Sequence, residues 1–265
     1  MNAVQNHARL RLEEGKLSLG IGIRQARTVD IAEIARLCGF DWLFIDMEHN
    51  SMDVDTAAQI SAAALATGIT PLVRVPGHDQ HHATRLLDSG AMGVVFPHVN
   101  TPEQATLVAR ACRFPPAGNR SVPGGLPQLR FASFPIKQVI EEINRETLVV
   151  AMLETPQAID NAEAIAAVNG IDVVLVGGSD LSAEMGIPGD FGNPRLANAI
   201  GRVVEACQRY GKHPGVGGMY DHGIMQRYVE MGARFILSGS DLAFLIAGAK
   251  ARTGFLRSLE TGVAA

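Results

Sequence analysis

Eight short apolar runs, each followed by a stretch with helical periodicity, constrain the fold of this 265-residue chain more than any other feature. The runs are rich in Val, Ile and Leu, and their apolar residues are mostly consecutive rather than alternating with polar ones. Strands that are buried on both faces of a parallel sheet have this pattern. The sequence therefore predicts strands at residues 17–23, 42–46, 71–75, 93–96, 148–153, 172–176, 214–217 and 234–237.

The stretches between the runs carry apolar residues at the spacing of amphipathic helices. They predict helices at residues 29–37, 54–66, 78–88, 102–110, 135–144, 156–167, 194–210, 223–230 and 242–256. A proline stands near the start of three of them, directly after a residue whose side chain can cap a helix. These pairs are Thr101-Pro102, Thr155-Pro156 and Asn193-Pro194. The Pro/Gly-rich segment 113–130 is predicted to be a long loop, of a size that is usually functional or partly mobile.

Strands and helices alternate from end to end, and a glycine repeatedly separates a helix from the next strand, as in SGAMGVVFP. This order predicts an α/β fold, a (β/α)8 TIM barrel with an extra C-terminal helix, in which residues 1–265 form a single domain. An open, doubly wound parallel sheet is the alternative. Such a sheet more often carries a G-x-G-x-x-G turn after an early strand, and none follows the first two predicted strands.

Composition and charge narrow the class of protein. Hydrophobic residues make up 47% of the chain, which is too many for a disordered protein. The net charge is -4, so the composition does not indicate a basic surface that would bind nucleic acid or anionic membranes. No window is apolar for long enough to cross a bilayer, and the N-terminal segment lacks the apolar core of a signal peptide. Cys38, Cys112 and Cys207 are an odd, sparse set that predicts free buried thiols. We therefore expect a cytoplasmic protein with a small-molecule partner.

In a (β/α)8 barrel, catalytic residues come from the C-terminal ends of the strands. The second predicted strand ends in Asp46-Met47-Glu48-His49. A histidine beside two carboxylates suits acid–base chemistry, since a carboxylate can orient the imidazole while the ring transfers a proton. The alternative is a helix cap followed by a solvated turn.

A second candidate is Arg74, which follows the apolar residues of the third run. A guanidinium next to a buried strand is costly unless it meets an anion, and its planar fork suits a carboxylate or an enolate. We therefore favour contact with a substrate. The alternative is a structural salt bridge to one of the carboxylates after the second strand.

Two carboxylates follow neighbouring strands, and these indicate a cation site. Glu154 comes directly after the fifth predicted strand, and Asp180 follows the sixth in the run Gly177-Gly178-Ser179-Asp180. Carboxylate oxygens are the ligands that Mg²⁺ prefers, and the glycines allow a ligand to approach the backbone closely. The alternative for Asp180 is the N-cap of the following helix.

Other motifs favour less specific interpretations. The run Gly239-Ser240-Asp241 is predicted to cap the last helix rather than to bind an anion. His78, His81 and His82 could share one helix face, but the start of a solvated helix is favoured over a zinc site. All four lysines lie away from the C-terminal ends of predicted strands, so a Schiff-base lysine is not expected and carbanion chemistry would require a metal. They are Lys16, Lys137, Lys212 and Lys250.

The order of these motifs resembles the HpcH/HpaI aldolase family. The motifs are FIDMEHNSMD, PLVRVP, LLDSGAMGVVFPHVNT, RSVPGG, MLETPQAI and VGGSDLSAEMG, and the resemblance extends from about Gly20 to about Gly248. It implies a barrel of the phosphoenolpyruvate/pyruvate superfamily type. It also implies a class II pyruvate aldolase, similar to 4-hydroxy-2-oxoheptanedioate aldolases, that reversibly cleaves a 4-hydroxy-2-oxo acid to pyruvate and an aldehyde through a metal-stabilised enolate.

The resemblance also implies roles for single residues. Glu154 and Asp180 would hold a divalent cation, Mg²⁺, Mn²⁺ or Co²⁺, and Arg74 would stabilise the enolate oxygen. His49, oriented by Asp46, would take part in proton transfer.

The remaining implied residues bind substrate or support the site. Gly178 and Ser179, together with Asp180, would bind the substrate carboxylate, while Glu48 and Asp88 would have supporting roles. Met152 is a departure from the family, in which a glutamine often precedes the metal-binding glutamate by two residues. A thioether thus stands where relatives have a polar contact near the cation.

The resemblance implies a homo-oligomer as well, a hexamer built as a trimer of dimers with the C-terminal helix packed on a neighbouring subunit. Two other functions remain open. One is a decarboxylase or other C–C lyase that acts on an oxaloacetate-like acid at the same site. The other is a catalytically silent barrel that binds an organic acid.

Overall fold

A computed structural model describes residues 4–260 as a closed barrel of eight parallel strands in chain order. Each strand pairs with the next one along the chain, and β8 closes the barrel on β1. The (β/α)8 fold class is thus confirmed, and the open sheet is excluded. The strands are β1 (Ser18–Ile23), β2 (Trp42–Asp46), β3 (Thr70–Arg74), β4 (Gly93–Phe96), β5 (Leu148–Leu153), β6 (Val173–Gly177), β7 (His213–Gly217) and β8 (Phe235–Ser240).

Twelve α-helices surround the barrel within the described residues. They are α1 (His7–Glu13), α2 (Ile31–Leu37), α3 (Val54–Thr67), α4 (Gln80–Asp88), α5 (Pro102–Cys112), α6 (Ile136–Glu146), α7 (Pro156–Asp160), α8 (Ala162–Ala166), α9 (Gly178–Glu184), α10 (Pro194–Tyr210), α11 (His222–Glu230) and α12 (Asp241–Glu260). Of these, α1 and α9 lie outside the predicted helices. The predicted helix 156–167 is two short helices, which Asn161 separates as the C-cap of the first and the N-cap of the second.

Three predicted caps start helices as expected. The side chain of Thr101 accepts a hydrogen bond from the backbone N–H of Gln104, and Thr155 and Asn193 cap α7 and α10 in the same manner. In each case the proline follows at the first helical position, where its missing N–H has no intrahelical partner to lose. Local sequence therefore fixes these helix starts.

Apolar side chains fill the interior of the barrel. Trp42 and Phe44 of β2 point inward, and the indole of Trp42 stacks on Phe235 with 4.0 Å between ring centroids. Leu72, Val150 and their neighbours complete this layer. Because the interior is closed, a substrate can reach only the ends of the barrel.

The long loop between α5 and α6 is packed rather than open. Phe114, Leu126 and Leu129 are buried and form a separate apolar cluster with Val139 and Ile143 of α6. The guanidinium of Arg120 stacks on the ring of Phe114 at 4.4 Å from its centroid. This segment therefore has a small core of its own.

The cysteine prediction is confirmed in two of three cases. All three thiols are free, and Cys112 and Cys207 are buried, but Cys38 is exposed because it lies at the C-terminal end of α2. Burial raises the pKa of Cys112 and of Cys207 to about 12. Within residues 4–260, every helix is too short or too polar to cross a membrane.

Candidate active site

Polar side chains cluster where β2, β3 and β5 end, at the end of the barrel that we call the mouth. Side chains alternate across a strand, so Asp46 shares the inward face of β2 with Trp42 and Phe44. Arg74 follows the inward Leu72 of β3 by two residues in the same way. The periodicity that builds the apolar interior thus also directs these polar residues into the mouth.

Asp46 and Arg74 form a two-pronged salt bridge. Arg74 Nε donates to Asp46 Oδ1 at 2.9 Å, and Nη2 donates to Oδ2 at 2.8 Å. Parallel pairing places the two residues side by side on β2 and β3, and both are buried. The salt bridge named as the alternative for Arg74 is therefore present, while contact with a substrate stays a prediction.

Arg74 has a further anionic neighbour. Its Nη1 lies 2.9 Å from Glu48 Oε2, and its guanidinium carbon lies 4.9 Å from the centroid of the Phe44 ring. Burial alone would lower the pKa of Arg74, but the hydrogen bonds and charge of Asp46, with the charges of Glu48 and Glu154, raise it. Arg74 is therefore a fixed cation at the centre of the mouth.

Asp46 orients the backbone of His49 rather than its imidazole. Asp46 Oδ1 accepts hydrogen bonds from the amides of Glu48 and His49, at 3.1 and 3.4 Å. The imidazole is half exposed, and its Nε2 lies 3.6 Å from Glu48 Oε2. The expected contact between Asp46 and the imidazole of His49 is therefore not formed, because Arg74 and the two amides occupy the Asp46 oxygens.

The same contacts keep Asp46 ionised. Burial pushes the pKa of Asp46 upward, but the hydrogen bonds and charge of Arg74 and the two amides outweigh burial, so the pKa lies below its usual value. An aspartate held in this state is an acceptor and not a proton donor at neutral pH.

Glu154 follows β5 directly and is almost fully buried, with 1% of its surface exposed. Its Oε2 accepts a hydrogen bond of 2.8 Å from the backbone N–H of His98. His98 adopts a left-handed backbone conformation with φ 51°, which is uncommon for a residue other than glycine. One Glu154 oxygen is thus held by the loop after β4.

Asp180 lies close enough to Glu154 to change its ionisation. Burial raises the pKa of Glu154, the amide and imidazole of His98 lower it, and the negative charge of Asp180 raises it further, so that the net shift is upward. Asp180 is exposed in the first turn of α9, which begins at Gly178, and its side chain does not cap the helix. The N-cap alternative for Asp180 is therefore wrong.

Two glycines after β6 are closely packed against the residues of the mouth. A Cβ at Gly177 would come within 2.8 Å of Glu154 Oε1 and of Met152 Cε. Gly178 is equally confined, since a Cβ there would lie 2.5 Å from Met219 Sδ. Any side chain at Gly177 would therefore push against the free oxygen of Glu154.

The first turn of α9 also carries the predicted substrate-binding residues. Gly178 is buried, Ser179 is exposed, and Ser179 Oγ donates a 3.2 Å hydrogen bond to the carbonyl of Gly218. The start of α9 therefore contacts the loop after β7 at the rim of the mouth. Met152 points into the interior below Glu154.

Two predicted features lie elsewhere. Asp88 is the last residue of α4, which runs back from β3, and its carboxylate accepts a 2.7 Å hydrogen bond from Arg120. Within a single chain, Asp88 therefore lies away from the mouth.

The three histidines near the start of α4 are the second feature. His78 Nε2 is 2.7 Å from the carbonyl of Pro97, and His81 and His82 lie in the first turn of α4. The solvated helix start is thus favoured over zinc for this trio.

Sequence analysis assigned no role to three residues that line the mouth, although two of them, Arg24 and His98, belong to the strand ends at which catalytic residues are expected. Arg24 Nε lies 3.7 Å from Asp46 Oδ2, and His98 Nδ1 lies 3.5 Å from Glu154 Oε2. The third residue is Tyr220. Burial raises the pKa of Tyr220, and the charges of Arg24, Arg74 and Asp46 also act on its ionisation. Arg24 directly follows the end of β1 and His98 comes two residues after the end of β4, so their position along the chain was the signal that could have given them a role.

The donor set fits a hard divalent cation. Glu154 Oε1 makes no hydrogen bond within residues 4–260 and lies beside Gly177, and Asp180 supplies a second carboxylate from the next strand end. Within residues 4–260, no group of three or more His, Cys, Asp and Glu side chains is arranged to hold a metal ion. A cation here would thus depend on these two carboxylates and on oxygens of water or substrate.

Comparisons with known proteins agree with this architecture. The profile of the HpcH/HpaI aldolase/citrate lyase family matches residues 25–247. The chain is 39% identical over 264 residues to 4-hydroxy-4-methyl-2-oxoglutarate aldolase tasA of Hapsidospora irregularis, covering 98% of each protein. It is 37% identical to 4-hydroxy-2-oxovalerate aldolase of Novosphingobium aromaticivorans, covering 91% of this chain and 90% of that protein. The crystal structure of an HpcH/HpaI aldolase from Desulfitobacterium hafniense superposes with a TM-score of 0.89 at 29% identity, covering 94% of this chain and 96% of that one.

Proposed function

This chain belongs to the HpcH/HpaI aldolase/citrate lyase family, and on that basis we propose that it is a divalent-metal-dependent aldolase. It would cleave a 4-hydroxy-2-oxo acid reversibly to pyruvate and an aldehyde or related carbonyl compound. The two named relatives are both aldolases that act on such acids. The observation that carries the proposal is the surplus of negative charge at the mouth.

That surplus follows from the side chains present. Asp46, Glu48, Glu154 and Asp180 are four carboxylates, and Arg74 is the one buried guanidinium among them in the described part of the chain. Arg74 contacts Asp46 and Glu48, and Arg24 lies beside Asp46. Within residues 4–260, neither Glu154 nor Asp180 is therefore paired with an arginine or a lysine, and the basic side chain beside Glu154 is the imidazole of His98. Like charges so close together, one of them nearly fully buried, are stabilised by a bound cation.

Glu154 and Asp180 would therefore hold the cation, which supplies a Lewis acid for the 2-oxo group when it is bound. Carboxylate donors suit Mg²⁺, Mn²⁺ and Co²⁺ alike. The donor set thus supports a divalent metal without selecting one. The cation site and the residue roles below are parts of the proposal.

Arg74 would stabilise the enolate oxygen that develops as the C3–C4 bond breaks. Three of its nitrogens already contact Asp46 or Glu48, and its two terminal nitrogens each carry a second N–H that can donate to a substrate oxygen. Because its anionic neighbours fix the guanidinium before substrate binds, no reorganisation is needed during the reaction. Arg74 thus combines the structural role with the predicted catalytic one.

His49 would transfer the proton of the 4-hydroxyl group. In cleavage, the hydroxyl proton moves to the base, C4 becomes a carbonyl, and the electrons of the C3–C4 bond become the enolate of pyruvate. That enolate is then protonated at C3 to release pyruvate. The imidazole of His49 is half exposed and lies beside Glu48 at the mouth, which supports this exchange, directly or through water.

The backbone at the start of α9 would bind the carboxylate of the pyruvate half. The first amides of this helix, at Gly178, Ser179 and Asp180, have no intrahelical partner, as at any helix N-terminus. They lie beside the two cation ligands. A substrate could therefore contact the cation and these amides at the same time.

Pyruvate release tests the proposed function. We would assay purified protein with 4-hydroxy-2-oxovalerate and 4-hydroxy-4-methyl-2-oxoglutarate, with Mg²⁺, Mn²⁺ or Co²⁺ and after EDTA. The Glu154→Gln variant should lose about 100-fold or more in kcat/KM and should bind less Mn²⁺ in calorimetry. Glu184→Gln, an exposed glutamate on α9, is the matched control and should behave as the wild type.

The outcomes separate the hypotheses. Full activity after EDTA, or in Glu154→Gln, would remove the metal role. Turnover of oxaloacetate without pyruvate release from any hydroxy acid would favour the decarboxylase alternative. Binding of these acids without any turnover would favour a silent barrel.

The assembly is part of the same proposal. Helix α12 has no buried residue, and six of its large apolar side chains are exposed, namely Phe244, Leu245, Ile246, Phe255, Leu256 and Leu259. An apolar groove of about 700 Å³ lies beside its first turn, lined in part by Ile21, Ile31, Ile34 and Phe40. So large an apolar surface is typical of an interface. We therefore place α12 against a neighbouring subunit of a homo-oligomer, a trimer of dimers in the predicted form.

A further inference from the structure

We propose that Arg24 binds a second, distal carboxylate of the substrate, so that the preferred substrates are 2-oxo diacids. This inference deepens the proposed function and rests on it for the position of the reacting atoms. Among the named relatives, one acts on an oxoglutarate, which has two carboxylates, and one on an oxovalerate, which has one. These two relatives therefore differ in the number of substrate carboxylates, and the inference for this chain rests on the residues of its own mouth.

Arg24 lies beside the residues proposed to act at C4. Its Nη2 donates a 3.1 Å hydrogen bond to the backbone carbonyl of His49. Its Nε lies 3.7 Å from Asp46 Oδ2, the same oxygen that Arg74 Nη2 contacts at 2.8 Å. The two guanidiniums are thus separated by a single carboxylate oxygen. With the 2-oxo end at Arg74 and the 4-hydroxyl at His49, the remaining carbons of a substrate would extend toward Arg24.

The guanidinium of Arg24 is available to a ligand. Its side chain is 41% exposed, whereas that of Arg74 is 7% exposed. Its Nη1 makes no hydrogen bond to any residue in the described range 4–260. Asp46 does not require Arg24 as a partner, because Arg74 already binds both of its oxygens at 2.9 Å or less. Arg24 therefore has donors to spare in the fork geometry that matches a carboxylate.

The loop that carries Arg24 is fixed in place. Asp241, the first residue of α12, accepts hydrogen bonds from the backbone amides of Arg24, Gln25 and Ala26, at 3.0, 2.9 and 2.8 Å. Three amides on one carboxylate hold the end of β1 against the start of the last helix. A cation on a preorganised loop loses less conformational entropy on binding than one on a mobile loop.

A binding comparison tests this inference without requiring cleavage. 2-Oxoglutarate and 2-oxopentanoate each have five carbons, lack the 4-hydroxyl group and differ in the distal carboxylate alone. We would measure the Kd of each for the Mn²⁺-loaded protein by calorimetry, in the wild type, Arg24→Met and Arg24→Lys. Arg36→Met, which removes an exposed guanidinium in the last turn of α2, is the matched control.

The wild type and the Arg36→Met variant should bind 2-oxoglutarate about 10-fold or more tightly than 2-oxopentanoate. Arg24→Met should abolish that difference and leave the Kd of 2-oxopentanoate within about twofold, and Arg24→Lys should keep part of the difference. Equal affinities in the wild type, including no binding of either acid, would overturn the inference. Equal weakening of both acids in Arg24→Met would also overturn it, since Arg24 would then act through Asp46 and His49.

These results are distinguishable from a failure of the proposed function. If the protein prefers 2-oxoglutarate through Arg24 but releases no pyruvate from any hydroxy acid, the diacid site is supported and the proposed aldolase activity is refuted. If pyruvate is released, the ratio of kcat/KM between 4-hydroxy-4-methyl-2-oxoglutarate and 4-hydroxy-2-oxovalerate should fall about 10-fold in Arg24→Met. An unchanged ratio would contradict the inference even in an active enzyme.

Discussion

Arg74 holds Asp46 through two parallel hydrogen bonds at the ends of adjacent strands, from Nε to Oδ1 at 2.9 Å and from Nη2 to Oδ2 at 2.8 Å. The register of the barrel creates this pair, because Asp46 of β2 lies opposite Arg74 of β3. The pair fixes a cation in the mouth and keeps a carboxylate ionised beside it. The first prediction follows from this geometry.

Replacing Arg74 by lysine keeps the charge but removes the planar fork. We expect Arg74→Lys to lower kcat by about 100-fold, since an ammonium cannot bind both Asp46 oxygens in parallel and also reach a substrate oxygen. Pyruvate release would be measured with saturating Mn²⁺, and Arg36→Lys is the control. An unchanged kcat would refute the role of Arg74 at the enolate.

A methyl group at Gly177 should weaken cation binding. Its carbon would lie within 2.8 Å of Glu154 Oε1 and Cγ, so the Glu154 carboxylate must move from its present position. We expect Gly177→Ala to raise the Kd for Mn²⁺ about 10-fold or more, measured by calorimetry. Gly192→Ala is the matched control, because a Cβ there meets no atom within 4 Å. Equal Mn²⁺ affinity in both variants would show that Glu154 does not bind the cation.

The half-buried His213 at the start of β7 should make stability depend on pH. Burial lowers the pKa of His213 below 6.5, and the positive charge of Arg9 lowers it further, against an opposing effect of Asp172. The unfolded chain therefore binds this proton more readily than the native protein. It follows that the free energy of unfolding falls as the pH drops below about 6.5 toward the lowered native value.

The variant His213→Gln cannot gain that proton. Between pH 7.5 and pH 5.5, the urea midpoint of unfolding should therefore fall further in the wild type than in the variant. An identical fall in both proteins would mean that other groups account for the acid sensitivity.

A charge on the apolar face of α12 should disrupt the proposed assembly. We expect the wild type to be larger than a monomer by light scattering, and Leu256→Glu to reduce its mass, since a buried unpaired carboxylate is strongly unfavourable at an interface. Leu107→Glu on α5 is the control, because Leu107 has a similar exposure, 55% against 51%. A monomeric wild type at micromolar concentration would contradict the assembly.

Sequence periodicity predicted the elements of the fold well where local pattern alone decides them. The bounds of β2, β4, β5 and α10 agree with the structure at both ends, and the three Pro-containing helix starts are capped as predicted. Helix α1 was missed because its first turns are largely polar and only Ala8 and Leu12 are buried. Helix α9 was not delimited because it begins directly after β6 without a cap side chain.

The candidate site was only partly predictable for a related reason. The order along the chain placed Asp46, Arg74, Glu154 and Asp180 at strand ends, and all four do lie at the mouth. Which groups pair with which could not be read from the chain. Arg74 selects Asp46 and Glu48, while the imidazole of His49 lies nearest Glu48 rather than Asp46.

The sequence by itself determined the alternation of strands and helices and the residues that end each strand, because burial on both faces of a parallel strand leaves an apolar run that any polar residue interrupts. Only the tertiary structure decided that Arg24 stands beside His49, that the amide of His98 holds Glu154 and that residues 4–260 leave every residue of α12 unburied. Each of these relationships joins or separates residues far apart along the chain. Closure and register of the barrel set such distances, and local periodicity carries no information about them.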